Sequence, residues 1–233
     1  MATSAALPPV LLLHGMATSA DRTWGDNGWI QLLQDAGREV VALDLMGHGN
    51  APKPHDPEAY EALEQDVVDR LPDGEVDAVG FSLGARTILA IAGRHPERFR
   101  KIVTGGVGRN LFEVDKDRAA AIQRGIDGHP DDEDPSSQYF SQLAESPEVD
   151  REALGALMRR RSSWPVTRDS LQVVTHPVLV CIGDGDFAGP GDPLVEALPN
   201  AKLKVLRRAD HFSTPKDFNF IDAALGWVEA FPA

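Results

Sequence analysis

The chain has 233 residues, of which 42% are hydrophobic, so it is long enough to bury one sizeable core and too apolar for intrinsic disorder. Its formal net charge of -13 argues against nucleic-acid binding, because neutralising phosphates requires Lys and Arg in excess. The N-terminal residues form no basic segment, and the apolar run from Val10 to Leu13 is too short for a signal peptide or a membrane span. We therefore expect a cytoplasmic protein with no membrane partner.

Apolar runs that alternate with helical patterns predict an α/β fold. The first run is bounded by Pro8-Pro9 and His14-Gly15, which is typical of a central parallel strand. The predicted strands are residues 10–13, 40–43, 76–79, 102–104, 178–182 and 203–206, and the helices between and after them are 29–36, 60–71, 85–92, 194–198 and 218–231. This order predicts a mostly parallel sheet of about six strands flanked by helices.

The segment 109–171 interrupts this alternation after the strand that ends near Gly105. It contains polar helical patterns at 115–124, 136–144, 151–160 and 166–171, and its acidic stretch 127–135 predicts an exposed loop. We therefore divide the chain into an α/β core, residues 1–108 and 172–233, and a small helical insertion, residues 109–171. We call this insertion the cap segment and expect it to lie over the site.

The stretch from Val76 to Ala92 predicts a strand, a sharp turn and a helix, with Gly80-Phe81-Ser82-Leu83-Gly84 at the turn. A serine on such a turn projects its hydroxyl above the sheet edge, and glycines two residues away let the helix approach the strand. We interpret it as a nucleophile elbow. The alternative is an ordinary glycine-rich turn in which Ser82 caps the helix.

A serine nucleophile needs a general base within hydrogen-bond reach and a third group that holds the base in one tautomer. In the order serine, acid, histidine, the candidates are Ser82, Asp186 and His211. Each follows a predicted strand, and the carboxyl ends of parallel strands share one edge of the sheet, so the three would meet there. Asp184 is an alternative acid, and Asp210 a weaker one because its adjacency to His211 leaves no loop to fold back.

Several motifs, taken in order, resemble those of the α/β-hydrolases, the large family of esterases, lipases and related enzymes. They are His14-Gly15, Asp44 with Gly47-His48-Gly49, the Ser82 pentapeptide, His95-Pro96-Glu97-Arg98, Gly183-Asp184-Gly185-Asp186 and Asp210-His211-Phe212. The resemblance covers nearly the whole chain, except that the family's N-terminal hairpin is missing, so we expect a shortened sheet.

The resemblance assigns the candidate residues to roles. It implies that Ser82 is the nucleophile, that Asp186, favoured by its spacing from Gly183, is the acid, and that His211 is the base. The backbone N–H groups of Met16 and Leu83 would form the oxyanion hole. His14 and His48 are expected to organise loops, and Cys181 to be a small buried side chain.

The most direct functional prediction is a serine hydrolase that cleaves a small or medium carboxylic ester, with no metal or organic cofactor. The alternatives are a carbon–carbon bond hydrolase or a lyase similar to those of the menaquinone pathway, favoured if Arg86 and Arg109 face the pocket, and a non-enzymatic ligand receptor. The predicted substrate contacts are Trp24, Phe81, Arg109, Trp164, Phe187 and Phe212. The sequence predicts no oligomeric state.

Overall fold

The computed structural model describes residues 7–231, which contain a six-stranded sheet in the order β2-β1-β3-β4-β5-β6. Its strands are β1 (Val10–Leu13), β2 (Val40–Leu43), β3 (Val76–Phe81), β4 (Phe99–Gly105), β5 (Val178–Gly183) and β6 (Ala201–Leu206). Every pair of neighbouring strands is parallel. The predicted fold class is therefore confirmed, and the strand ends that carry the candidate residues all lie at one edge.

Helices cover both faces of this sheet. They are α1 (Trp29–Asp35), α2 (Leu63–Asp69), α3 (Leu83–Ala92), α4 (Lys116–Ile126), α5 (Pro135–Ala144), α6 (Arg151–Arg159), α7 (Arg168–Leu171), α8 (Asp192–Ala197) and α9 (Phe218–Trp227). Successive side chains of a strand point to opposite faces, so Leu11 packs with Ile88 of α3, whereas Leu12 packs with Trp29 and Phe220. No helix within residues 7–231 is long and apolar enough to cross a membrane.

The cap segment contains α4, α5, α6 and α7, close to the predicted helices. A separate apolar cluster joins Ile126, Phe140 and Leu154 from the first three helices with Ala17 from the loop after β1. Residues 127–133 are exposed between α4 and α5, as the acidic pattern predicted. Leu171 at the end of α7 instead packs in the main core, so the last part of the cap segment packs with the sheet.

Candidate active site

Ser82 lies in a strained turn between β3 and α3. Its φ of 50° and ψ of -109° are unusual for a residue with a side chain, and its hydroxyl makes no capping hydrogen bond to the helix. A Cβ added to Gly80 would lie 2.7 Å from the backbone nitrogen of Ala85, and one added to Gly84 would overlap the carbonyl oxygen of Leu13. Both glycines are thus required by the close approach of helix and strands, and the turn exposes Ser82 at the sheet edge.

The structure brings Ser82, His211 and Asp186 together. The Nε2 atom of His211 lies 3.0 Å from Ser82 Oγ, and its Nδ1 lies 2.9 and 3.1 Å from the two carboxylate oxygens of Asp186. Asp186 follows β5 and His211 follows β6, so the two loops meet beside the elbow. This arrangement lets Nδ1–H donate to the carboxylate, which leaves Nε2 free to accept the serine proton.

The two alternative acids do not contact His211. Asp184 is exposed and its Oδ1 accepts a hydrogen bond of 2.7 Å from the backbone nitrogen of Arg208. Asp210 accepts a hydrogen bond of 2.7 Å from the backbone nitrogen of Ser213, and the Ser213 side chain, with a smaller effect of this backbone contact, holds the pKa of Asp210 below the usual range. Both carboxylates therefore stabilise loop structure around the site.

The backbone N–H groups of Met16 and Leu83 are the predicted oxyanion donors. Neither group donates a hydrogen bond to another described residue. Gly84 N donates to His14 O at 3.0 Å, which ties the turn after Ser82 to the loop that carries Met16. The two N–H groups therefore remain available on segments that are linked beside the Ser82 hydroxyl.

Two buried histidines organise the loops around this edge. His14 donates from Nδ1 to the carbonyl of Gly15 and accepts at Nε2 from Leu45 N, and His48 donates from Nδ1 to Met46 O. Burial lowers the pKa of His14 to about 4 and that of His48 to about 3. Both rings are therefore neutral near pH 7 and hold loops through backbone contacts.

A cavity of about 520 Å³ opens at Ser82. Its wall combines the loop after β1, the loops after β5 and β6, and helices α4 and α5 of the cap segment, and most of its side chains are apolar. The lining residues are Met16, Ala17, Thr18, Arg22, Thr23, Asp26, Asn27, Phe81, Ser82, Ile122, Tyr139, Phe140, Leu143, Ser146, Phe187, His211, Phe212, Pro215 and Lys216. Phe81, Phe187 and Phe212 are thus at the cavity.

Three other predicted substrate contacts do not line it, which corrects those predictions. Trp24 is fully buried and packs against Trp29, with ring centroids 5.0 Å apart. The guanidinium carbon of Arg94 lies 4.9 Å from the centroid of the Trp164 ring, and Trp164 does not line the cavity.

The third of these residues is Arg109. Arg109 is half exposed and its Nε lies 3.7 Å from the carboxylate of Glu113, one helical turn along the chain. Arg86, which would face the pocket in the lyase alternative, donates instead to the carbonyl of Asn110 at 2.6 Å. Neither guanidinium lines the cavity.

Sequence reasoning missed the part of the wall that comes from α5. Tyr139, Phe140 and Leu143 form a short apolar stripe in an otherwise polar helix, and the ring of Tyr139 stacks on that of Phe212 with centroids 3.7 Å apart. Residues spaced by three or four positions lie on one face of a helix, so this stripe was a readable signal.

Comparisons with known proteins agree with this fold. The profile of the alpha/beta hydrolase fold matches residues 8–120. An alpha/beta hydrolase enzyme from a Medee basin deep-sea metagenome library, MGS-M2, superimposes with a TM-score of 0.78 at 16% identity, covering 100% of this chain and 93% of that one. Est816, described as an N-acyl homoserine lactone degrading enzyme, superimposes with a TM-score of 0.69 at 20% identity, covering 94% of this chain and 93% of that one. The chain therefore has the alpha/beta hydrolase fold, and the matching profile covers 113 of its 233 residues.

Curated relatives are hydrolases. A 2-hydroxymuconate semialdehyde hydrolase from Pseudomonas sp. (strain CF600) is 31% identical over 110 residues, which are 46% of this chain and 38% of the relative, so the match spans well under half of that protein. A pimeloyl-[acyl-carrier protein] methyl ester esterase from Neisseria meningitidis serogroup A (serotype 4A, strain DSM 15465 / Z2491) is 28% identical over 240 residues, covering 88% of this chain and 72% of the relative.

Proposed function

We propose that this chain is a serine hydrolase that cleaves a small or medium carboxylic ester through an acyl-enzyme on Ser82. The observation that supports this proposal is the contact of 3.0 Å between Ser82 Oγ and His211 Nε2 at the wall of an apolar cavity. A hydroxyl paired with a neutral imidazole, which is itself bonded to a carboxylate, is the arrangement that nucleophilic acyl transfer requires.

In the proposed acylation step, Ser82 Oγ attacks the ester carbonyl carbon while His211 Nε2 accepts the hydroxyl proton. The carbonyl oxygen becomes negatively charged, and the N–H groups of Met16 and Leu83 are the donors we propose for it. His211 then gives its proton to the departing alkoxide oxygen, which leaves as the alcohol. Asp186 accepts from Nδ1–H throughout and stabilises the transient imidazolium.

In the proposed deacylation step, a water molecule replaces the alcohol. His211 takes a proton from that water, whose oxygen attacks the acyl carbon, and the same two N–H groups receive the second oxyanion. The bond from the acyl carbon to Ser82 Oγ then breaks, and His211 returns the proton to Oγ. The products are the carboxylic acid and the regenerated enzyme.

The size and lining of the cavity support an ester of modest size. About 520 Å³ is within the range of small-molecule sites, and side chains such as Phe187, Phe212 and Leu143 offer apolar surface to an acyl or alkyl group. We propose that the cap segment closes this cavity, because Ile122 and Tyr139 on α4 and α5 form part of its wall.

A carbon–carbon bond hydrolase is the second candidate, because a 2-hydroxymuconate semialdehyde hydrolase and a 2-hydroxy-6-oxo-2,4-heptadienoate hydrolase match part of this chain at 31% and 32% identity. The compounds in these names contain no ester bond, so their hydrolysis would break a carbon–carbon bond. The same serine, histidine and oxyanion donors could act on an activated ketone. The lyase variant loses its specific support, since Arg86 and Arg109 do not line the cavity.

The test combines a fluorophosphonate probe with two substrate panels. We expect the probe to label the wild-type chain and not Ser82→Ala. We expect the wild-type chain to cleave p-nitrophenyl esters of two to eight carbons, and Ser82→Ala to lose about 10⁴-fold or more of this activity while its circular dichroism is unchanged. Turnover of 2-hydroxy-6-oxo-2,4-heptadienoate without ester turnover would favour the second candidate. Labelling without turnover of either panel would favour a receptor and contradict the proposal.

A further inference from the structure

The ring of His211 is packed on its faces as well as hydrogen-bonded at its edges. The Phe187 ring lies 4.3 Å away between centroids, tilted by 34°, and the Phe81 ring lies 5.0 Å away, tilted by 41°. Gly106 fills the remaining space closely, since a Cβ there would lie 2.7 Å from the Phe81 ring and 2.9 Å from His211 Cε1. The imidazole is therefore in close contact with both phenylalanine rings and with the Gly106 backbone.

Phe187 in turn lies beneath a cation from the cap segment. The guanidinium carbon of Arg118, on α4, is 4.7 Å from the centroid of the Phe187 ring. That guanidinium is fixed from its own side, because Nη1 donates to Ser136 Oγ of α5 at 2.9 Å and Nε lies 3.6 Å from the Asp115 carboxylate at the start of α4. A guanidinium over an aromatic face is an attractive contact.

We propose that Phe187 is a positioning residue for the His211 ring and that Arg118 holds Phe187 in place. The position of α4 and α5 relative to the sheet edge then sets the orientation of the His211 ring. This inference rests on the proposed function and deepens it, because it makes the cap segment a regulator of the chemical step as well as a wall of the cavity.

The physical reason is that the hydrogen bond to Asp186 fixes only part of the ring's geometry. A bond from Nδ1 still allows the imidazole to rock about the line to the carboxylate, and this rocking moves Nε2 away from Ser82 Oγ. The close packing of the Phe187 ring, 4.3 Å from the imidazole between centroids, opposes that motion. Proton transfer depends steeply on alignment, and a misplacement of about 1 Å can cost about 10²-fold in rate.

The positioning role of Arg118 can be distinguished from a purely electrostatic effect of its charge on His211. Asp186 is bonded to the ring and Asp210 precedes it in the chain, Arg22, Asp26 and Lys216 line the same cavity, and Arg118 lies over Phe187. Through charge alone, Arg118 disfavours the imidazolium, so its removal would raise the His211 pKa. Through positioning, its removal loosens the ring from Asp186, which lowers that pKa. The two mechanisms predict opposite shifts.

The experiment uses four single variants and one double variant of the full chain. Arg118→Met removes the cation and keeps most of the side-chain volume, Arg118→Lys restores a cation, and Phe187→Leu removes the ring. Arg124→Met is the matched control, because Arg124 is also on α4 and exposed but pairs with Asp131 at 3.7 Å. Each is measured for kcat and KM on p-nitrophenyl acetate, and the His211 ring is titrated by NMR.

We expect Arg118→Met to lower kcat about tenfold with KM changed less than about twofold, and Arg118→Lys to recover most of the loss. We expect the His211 pKa to fall in Arg118→Met and in Phe187→Leu, and Arg124→Met to behave as wild type. The double variant Arg118→Met with Phe187→Leu should match Phe187→Leu alone, because Arg118 acts through that ring.

A His211 pKa that rises in Arg118→Met, additive losses in the double variant, or an equal loss in Arg124→Met would each overturn the inference. The NMR titration needs no substrate, so it tests the positioning role even if ester turnover is absent. Absence of turnover and of fluorophosphonate labelling in the wild-type chain would instead contradict the proposed function.

Discussion

Replacing Asp186 by Asn tests the acid of the proposed triad at one atom. In the native site, Asp186 Oδ1 accepts a hydrogen bond of 2.8 Å from the backbone nitrogen of Ala188 and one of 2.9 Å from His211 Nδ1. The other carboxylate oxygen, Oδ2, lies 3.1 Å from His211 Nδ1. An Asn that keeps its oxygen at the Oδ1 position, bonded to Ala188 N, places its NH₂ group at the Oδ2 position, 3.1 Å from His211 Nδ1. Nδ1–H then faces a donor as well as an acceptor, and the negative charge is lost. The tautomer that accepts the proton of Ser82 is therefore less favoured, and the imidazolium formed by that transfer is less stable.

The expected loss in kcat/KM is about 10⁴-fold, equivalent to about 5 kcal/mol of transition-state stabilisation. Asp184→Asn is the matched control, because an amide oxygen can still accept from Arg208 N and Asp184 does not contact His211. Its activity should stay within about threefold of wild type. The assay is kcat/KM on p-nitrophenyl acetate at pH 7.5, with circular dichroism to confirm folding.

Two results would refute this reasoning. A folded Asp186→Asn variant within tenfold of wild type would mean that the carboxylate does not set the tautomer of His211. A larger loss in Asp184→Asn than in Asp186→Asn would mean that the loop after β5 rearranges and that Asp184 is the acid.

Three further predictions concern the cavity wall, the elbow and the buried histidines. Leu143→Ala should shift the preference among p-nitrophenyl esters toward longer acyl chains, whereas Trp164→Ala, which is away from the cavity, should leave the profile unchanged. Gly84→Ala should lower the free energy of unfolding, measured in urea, by about 3 kcal/mol or prevent folding, because its Cβ would overlap a β1 carbonyl. Gly226→Ala is the control and should leave that free energy nearly unchanged, because a Cβ there would lie 3.7 Å from its nearest neighbour. Burial lowers the pKa of His48 from 6.5 to about 3, so below about pH 6.5 the unfolded chain binds a proton that the folded chain does not. The free energy of unfolding should therefore fall by at most about 5 kcal/mol as the pH drops from about 6.5 to about 3. If the dependence of this free energy on pH were the same in His48→Asn, the prediction would be contradicted.

The sheet and the elbow could be predicted because their signals are local. A buried parallel strand is a continuous apolar run in the sequence. The pentapeptide around Ser82 has glycine at positions 80 and 84, where a side chain would clash with the neighbouring backbone. The meeting of Ser82, Asp186 and His211 followed from topology, since each comes after a strand of one parallel sheet.

The substrate contacts could not be predicted in the same way, because aromatic residues serve cores and pockets equally well. Trp24 lies in a single turn of π-helix, residues 21–25, and its ring is buried in the core on one face of the sheet. Trp164 packs under Arg94, a partner 70 positions earlier, and nothing local in the sequence indicates that pairing. Only three-dimensional packing decides which face of such a segment meets the cavity.

The site therefore divides into two parts with different determinants. The sheet edge supplies Ser82, His211 and Asp186, and their positions are fixed by strand order and by glycines that admit no side chain. The cap segment supplies the outer cavity wall, through surface helices that can change their lining residues without disturbing the sheet. Phe187 connects the two parts, because it touches the ring of His211 and the guanidinium of Arg118. A substitution of Arg118 on α4 can consequently change the rate of the chemical step without touching the substrate, whereas a substitution of Leu143 on α5 changes which substrate fits.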